Sequence, residues 1–239
     1  MTTALELAQV AAVEMGLIQP QSIYATSELI PQQLGALLNL TGEMLVKRRV
    51  WRQLFRETTI TAVAGQAAYP LPPDYARPIS QTEWDRVNRW PMLGPQTPQQ
   101  WQYLKSGVLS TGPRERFRLV GNTLEVWPVP GVGAPTPETF SYYYVSKWWA
   151  LAADGVTAKP KCTLDSDMTI FDDRLMVAGL KLRFYQAKQF DTSSFAAEFQ
   201  TNLDDALAQD SGAQVLSLSR VPGVTLISVN NIPDTGYGS

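Results

Sequence analysis

Residues 31–63, PQQLGALLNLTGEMLVKRRVWRQLFRETTITAV, carry two hydrophobic periods in one stretch. Leu34, Leu37, Leu38, Thr41 and Leu45 recur at helical spacing, and Trp51, Leu54 and Phe55 continue the same face. The spacing predicts a helix over 31–56, about 40 Å long at 1.5 Å per residue. Pro31 suits its first turn, where a missing N–H would have had no partner anyway. Thr58 to Val63 then alternates polar and apolar side chains in β-branched residues, which predicts a strand. The chain therefore passes from helix packing to sheet packing near residue 57.

Toward the N-terminus, Thr3 and Glu6 have the spacing of a capping box, and Leu7, Val10, Ala11 and Leu17 follow at helical spacing with Gly16 as a stop. Toward the C-terminus, Ala64-Gly65-Gln66 reads as a turn and 67–71 as a short strand ended by prolines. A third strand is expected within 76–84. Residues 88–113 read as an irregular insert with one short helix over 98–105. Arg116–Val120 and Thr123–Val129 flank Gly121-Asn122, the strongest hairpin signal in the chain. Thr139–Ser146 is a further strand. Helical spacing returns over 168–189 (Phe171, Leu175, Leu182, Tyr185) and over 194–209 (Phe195, Phe199, Leu203, Ala206, Leu207). Asp165 or Asp167 is the expected cap of the first of these helices, and Asp191, Thr192 or Ser193 that of the second.

The order predicts an α+β protein. N- and C-terminal helices (1–57 and 151–210) form a bundle, with an antiparallel β domain (58–150) inserted between them and an extended arm (211–239) at the end. The arm holds nine aliphatic residues: Val215, Leu216, Leu218, Val221, Val224, Leu226, Ile227, Val229 and Ile232. Its only charges are Arg220 and Asp234. Fully extended it reaches roughly 95 Å. Ordering such an arm alone costs entropy that burial does not repay, so it is expected to be mobile in the monomer and to order against a partner, along its surface or as a strand added to a neighbour's sheet, weighed against folding back onto its own bundle.

Composition narrows the function. The chain has 239 residues and a net charge of −2, so no global field draws it to nucleic acid or anionic membrane. Histidine is absent, which removes imidazole bases, Ser-His-Asp and Cys-His arrangements and His-based zinc sites. The single cysteine, Cys162, allows no intrachain disulfide. No apolar run approaches the roughly 20 residues of a membrane span, and no signal peptide is expected. Neither catalysis nor a cofactor is expected.

Four charged or reactive features remain. Lys47, Arg48, Arg49, Arg52 and Arg56 form a basic run with no carboxylate inside it. On a continuous helix Arg48, Arg52 and Arg56 would make one stripe, a candidate subunit interface weighed against a plain solvated face. Asp191, Glu198, Asp204, Asp205 and Asp210 form a stretch without bases that could face that stripe on a neighbouring copy. Asp165, Asp167, Asp172 and Asp173 lack an EF-hand pattern and read as caps rather than a cation site. Cys162 follows Lys161 but has no histidine partner and reads as incidental. The aromatics read as core and interface anchors, and the Asn39-Leu40-Thr41 sequon lies mid-helix and is set aside.

The order of motifs resembles the head-to-tail adaptors of tailed phages, including the tail-tubular-protein-A-like connectors. Three stretches carry the likeness: KRRVWRQLFRETTITAVAGQAAYPLPPDYARPIS (47–80), FRLVGNTLEVWPVPG (117–131) and TFSYYYVSKWW (139–149). The resemblance implies a structural virion protein in the neck between head and tail, assembled in the host cytoplasm. It implies a ring of identical copies, often twelve, that binds the portal protein above and a tail or nozzle protein below. Genomic DNA would pass through its channel without sequence-specific binding, and no membrane is involved. Two other classes fit the composition: a tail-tube or baseplate ring subunit, and a glycan-binding or glycan-cleaving tail module.

Overall fold

In the computed structural model, which describes residues 2–106, 114–131 and 138–211, the first helix is α1 (Ala4–Glu14). Its capping box is closed in both directions: the Glu6 N–H donates to Thr3 Oγ1 at 3.2 Å and the Thr3 N–H to Glu6 Oε2 at 2.8 Å. Two further N–H groups of its first turn, those of Ala4 and Leu5, donate to the carbonyls of Asp167 and Asp165. Its buried face, Ala4, Leu7, Ala8, Ala11 and Ala12, is mostly alanine, so the helix lies close against its neighbours.

Helix α2 spans Leu29–Arg48 and does not reach residue 56. Arg49 is extended (φ −146°, ψ 168°). The buried Trp51 indole N–H donates to the Leu45 carbonyl at 2.9 Å, filling one of the orphan acceptors at the helix end. Trp51 thus caps the helix from outside instead of extending its apolar face. A 3-10 turn, Arg52–Leu54, leads into β1 (Phe55–Thr61).

The strands β2 (Ala68–Pro70), β3 (Tyr75–Pro78), β4 (Trp84–Asp85) and β5 (Trp90–Pro91) follow, then the helix α3 (Pro98–Lys105). After them come β6 (Arg116–Val120), β7 (Thr123–Trp127), β8 (Thr139–Ser146), β9 (Ala150–Leu151), β10 (Ala158–Lys159) and β11 (Met168–Thr169). The chain returns to helix in α4 (Asp173–Ala187) and α5 (Ser193–Ser211). All pairings between these named strands are antiparallel. The α+β class follows directly.

The first sheet is built on β8. It pairs β1 along its whole length, from Phe55↔Val145 to Thr61↔Thr139, and holds β3 and β4 on its other edge, with β5 beyond β4. The second sheet has the order β2-β7-β6, and its β6–β7 hairpin turns at Gly121-Asn122. Gly121 has φ +57°, which a residue without Cβ adopts freely. The third sheet is the small β10-β9-β11.

Helix α4 begins at 173 and not at 168. Asp172 caps it, accepting from the Leu175 N–H at 3.1 Å, while Met168 and Thr169 are in β11. Asp165 and Asp167 are not helix caps. Asp165 Oδ1 accepts from the N–H groups of Ile23 and Tyr24. Asp167, fully buried, accepts from Lys159 Nζ, Thr163 N–H and Leu164 N–H. Asn39 of α2 grips the same segment, donating to the Cys162 carbonyl at 3.0 Å and accepting from its N–H at 2.9 Å.

Two hydrophobic cores result. One gathers α1, α2, α4 and α5 with Trp51, Leu54, Val145 and Trp149. The other lies in the β region around Tyr69, Phe117, Leu124, Phe140 and Tyr142. Trp51, just before β1, and Trp149, just after β8, both pack on Phe171, at ring separations of 5.1 and 6.3 Å. The helix layers touch closely where glycine allows it: Gly42 lies under the Trp149 ring and Gly179 against Thr41.

Candidate interaction surface

The break at Arg49 disperses the basic stripe. Arg48 ends α2, and its Nη2 donates to Gln200 Oε1 at 2.8 Å, with the guanidinium 5.6 Å from the centre of the Phe199 ring. Arg52 opens the 3-10 turn, and its backbone N–H donates to Asp210 Oδ2 at 2.8 Å. Arg56 lies on β1, where Nη1 donates to the carbonyls of Phe55 (3.1 Å) and Gln53 (3.3 Å). Among the described residues none of the three has an ion-pair partner. The nine aliphatic residues of the arm, Val215 to Ile232, lie outside the described residues.

The acidic stretch is also divided. Asp191 accepts from the Ser193 N–H at the start of α5. Glu198 binds Lys181, Asp204 accepts from Gln200, and Asp210 holds Arg52. Cys162 is buried, and burial pushes its thiol up to about 12, which disfavours the reactive thiolate. Among the described residues no cluster of acidic or cysteine side chains could hold a metal ion.

Three features escaped the sequence reading. Lys181 of α4 is buried between Glu14 of α1 (2.7 Å) and Glu198 of α5 (2.8 Å). Burial alone would lower its ammonium, but the two carboxylates hold it above the usual lysine range. A lone lysine inside the apolar run 175–182 was its signal. The second is Glu115, 5% exposed, whose Oε2 has no hydrogen-bond partner. Burial pushes its carboxyl up to about 7, and the carboxylates of Asp85 and Glu138 act in the same direction. The third is Arg77 of β3, which donates to the Arg49 carbonyl at 2.7 Å and so joins the basic run from another element.

Several of the charged side chains line grooves on the two sides of α5, whose buried stripe is Phe199, Leu203 and Ala206, and between α2 and α4. On the side of Gln200 and Leu207, a cavity of about 520 Å³ is lined by Arg48, Arg49, Val50 and Arg77. It shares Arg48 with one of about 430 Å³ lined by Leu40, Glu43, Lys47 and Arg183. On the side of Glu198 and Gln209, a cavity of about 490 Å³ is lined by Val10, Glu14, Asp173, Arg174 and Glu198. It shares Asp173 with one of about 260 Å³ bordered by Asp172, Gln209 and Asp210.

Among the described residues no helix is long and apolar enough to cross a membrane. A comparison with curated proteins found no match. The family model described as SU10 adaptor protein matches residues 2–223, and so takes in both cores, all three sheets and the grooves beside α5. With that match over nearly the whole length, the chain belongs to the SU10 adaptor protein family, a family of phage head-to-tail adaptors.

Proposed function

We propose that this phage structural adaptor forms a ring of identical copies that joins the portal to the tail and continues the DNA channel. The observation that carries the reading is the family match over residues 2–223. A heterologous contact, in which two different patches meet, closes into a ring when the rotation per copy allows it. The neighbours would be the portal on one side and a tail or nozzle protein on the other, with DNA passing through unread. We assign the ring-building frame to the bundle of 1–57 and 151–210, carrying 58–150 as an inserted β domain. The two separate hydrophobic cores support that division. The arm, 211–239, is the portal-binding element in this reading. It is supported by the arm's aliphatic, almost uncharged sequence, which needs a partner's surface to cover it.

The test is to add the purified full chain to tailless, portal-bearing heads and image the particles. The expected result is a ring of density beneath the portal. Binding to isolated tail proteins but not to portal would favour a tail-tube subunit instead. Saturable binding of a capsular glycan, lost on one carboxylate substitution, would favour the glycan module.

A further inference from the structure

The two sides of α5 carry opposite charge. On one, Arg48, Arg49 and Arg77 line a groove that continues through Arg48 into that of Lys47 and Arg183 between α2 and α4, and these cations outnumber Glu43, Asp204 and Asp210. None of these five cations has an ion-pair partner among the described residues. On the other, Glu14, Asp172, Asp173, Glu198 and Asp210 outnumber Arg174 and the buried Lys181. Both sides expose apolar side chains among the charges, Leu40 and Val50 on the basic side and Val10 on the acidic side. Both grooves are therefore lined by a mixture of charge and apolar surface, the composition of a protein interface rim rather than of a phosphate track.

We infer that the occupant of the basic flank is a second copy of this chain, which presents its own acidic flank. The inference rests on the ring reading and specifies which patches meet. The two flanks belong to one helix but face different directions around it. Residues 200, 204 and 207 lie on one side of the buried stripe, and 198, 202 and 209 on the other. A contact between unlike flanks is head-to-tail, and each copy then keeps one free flank for the next. Like flanks facing each other would repel, so the same charges that favour the head-to-tail contact disfavour a two-fold dimer built on either flank alone.

The experiment uses the full-length chain and two charge-altered forms. One is Lys47→Glu with Arg49→Glu, on the basic flank. The other is Asp205→Lys with Gln209→Lys, on exposed positions of α5 toward the acidic flank. Assembly is followed by sedimentation velocity and native mass measurement, alone and on portal-bearing heads, at low and high salt. Each altered form alone should need at least about tenfold more protein to assemble than the wild type. An equimolar mixture should recover assembly, because the doubly acidic form then meets the doubly basic one. That recovery also shows that both forms fold. Wild-type assembly should weaken as salt is raised.

If the wild type assembles and both altered forms assemble equally well, the flank pairing is overturned and the ring stands. If each form fails and the mixture fails too, the two flanks do not meet each other and the inference is again overturned. If the wild type stays monomeric under every condition, on heads as well as alone, the ring reading itself falls.

Discussion

Replacing Gly42 by alanine sets two opposed effects against each other. Gly42 sits inside α2, where alanine is favoured over glycine by about 1 kcal/mol. Helix propensity alone therefore predicts a more stable protein. The packing predicts the opposite. A Cβ on Gly42 would lie 2.5 Å from both Cδ2 and Cζ2 of Trp149, closer than carbon atoms approach. The indole cannot yield easily, since it is fully buried and stacked on Phe171 at 6.3 Å and 21°. Phe171 in turn packs edge-on to Trp51 at 5.1 Å, and Trp51 holds the end of α2. Overpacking of a well-filled core costs typically 1–3 kcal/mol, and a rigid ring with no free side belongs at about 3. Subtracting the propensity gain leaves a net loss of about 2 kcal/mol. For a chain of this size that corresponds to a fall in Tm of about 4–8 °C. Urea unfolding followed by tryptophan fluorescence gives the same difference directly. In a Trp149→Leu background the same substitution should lose most of its cost, because the clash is gone. A Gly42→Ala protein as stable as the wild type, or more so, would refute the packing argument.

Further outcomes follow from other sites. The Glu115 carboxyl is raised from its ordinary 4.5 to about 7 in the folded chain, so the folded state holds its proton more tightly. Stability should then be full below pH 4.5 and fall as pH rises through 7, by up to about 3 kcal/mol; Glu115→Gln should flatten that slope in a Tm-against-pH series, and an unchanged slope would remove Glu115 as its cause. Asn39→Ala leaves the Cys162 N–H and carbonyl without their partner, which should cost about 2 kcal/mol in urea unfolding. Asp167→Asn removes the charge that Lys159 meets at 2.7 Å in a buried site, and should cost about 3 kcal/mol. A cut after Ser211 keeps the Asp210–Arg52 bond, so circular dichroism should remain native while docking to portal-bearing heads is lost; normal docking would free the arm from that role.

What could be read from the sequence depended on how local the cause was. The Thr3–Glu6 box, the helix over 98–105 and the Gly121-Asn122 hairpin are set by neighbours within a few residues, and each stands where the pattern put it. The end of α2 did not, because Trp51, Leu54 and Phe55 satisfy a helical period as well as a capping role. Only the indole reaching the Leu45 carbonyl separates the two. The start of α4 was obscured by four aspartates within nine positions, any of which could cap. Asp172 does so, while Asp165 and Asp167 bind backbone distant in sequence or across a loop. The pairing of β1 with β8 joins segments about eighty residues apart and has no local signature. The charge division around α5 was legible only in part: the sequence set the basic run against the acidic stretch, but Arg77 and Arg183 join that run only through the fold.

Phe55 and Val145 are cross-strand partners, so the chain enters and leaves the first sheet side by side. At that end each strand is anchored by a tryptophan, Trp51 or Trp149, pressed on the same phenylalanine. A pull that draws the β region away from the helices therefore loads both strands from the same end and in the same direction. Neither slides past the other, so the ladder between them is not sheared and cannot unzip from that side. Tension is divided between two covalent chains and arrives at one aromatic cluster, a double tether with a single shared footing.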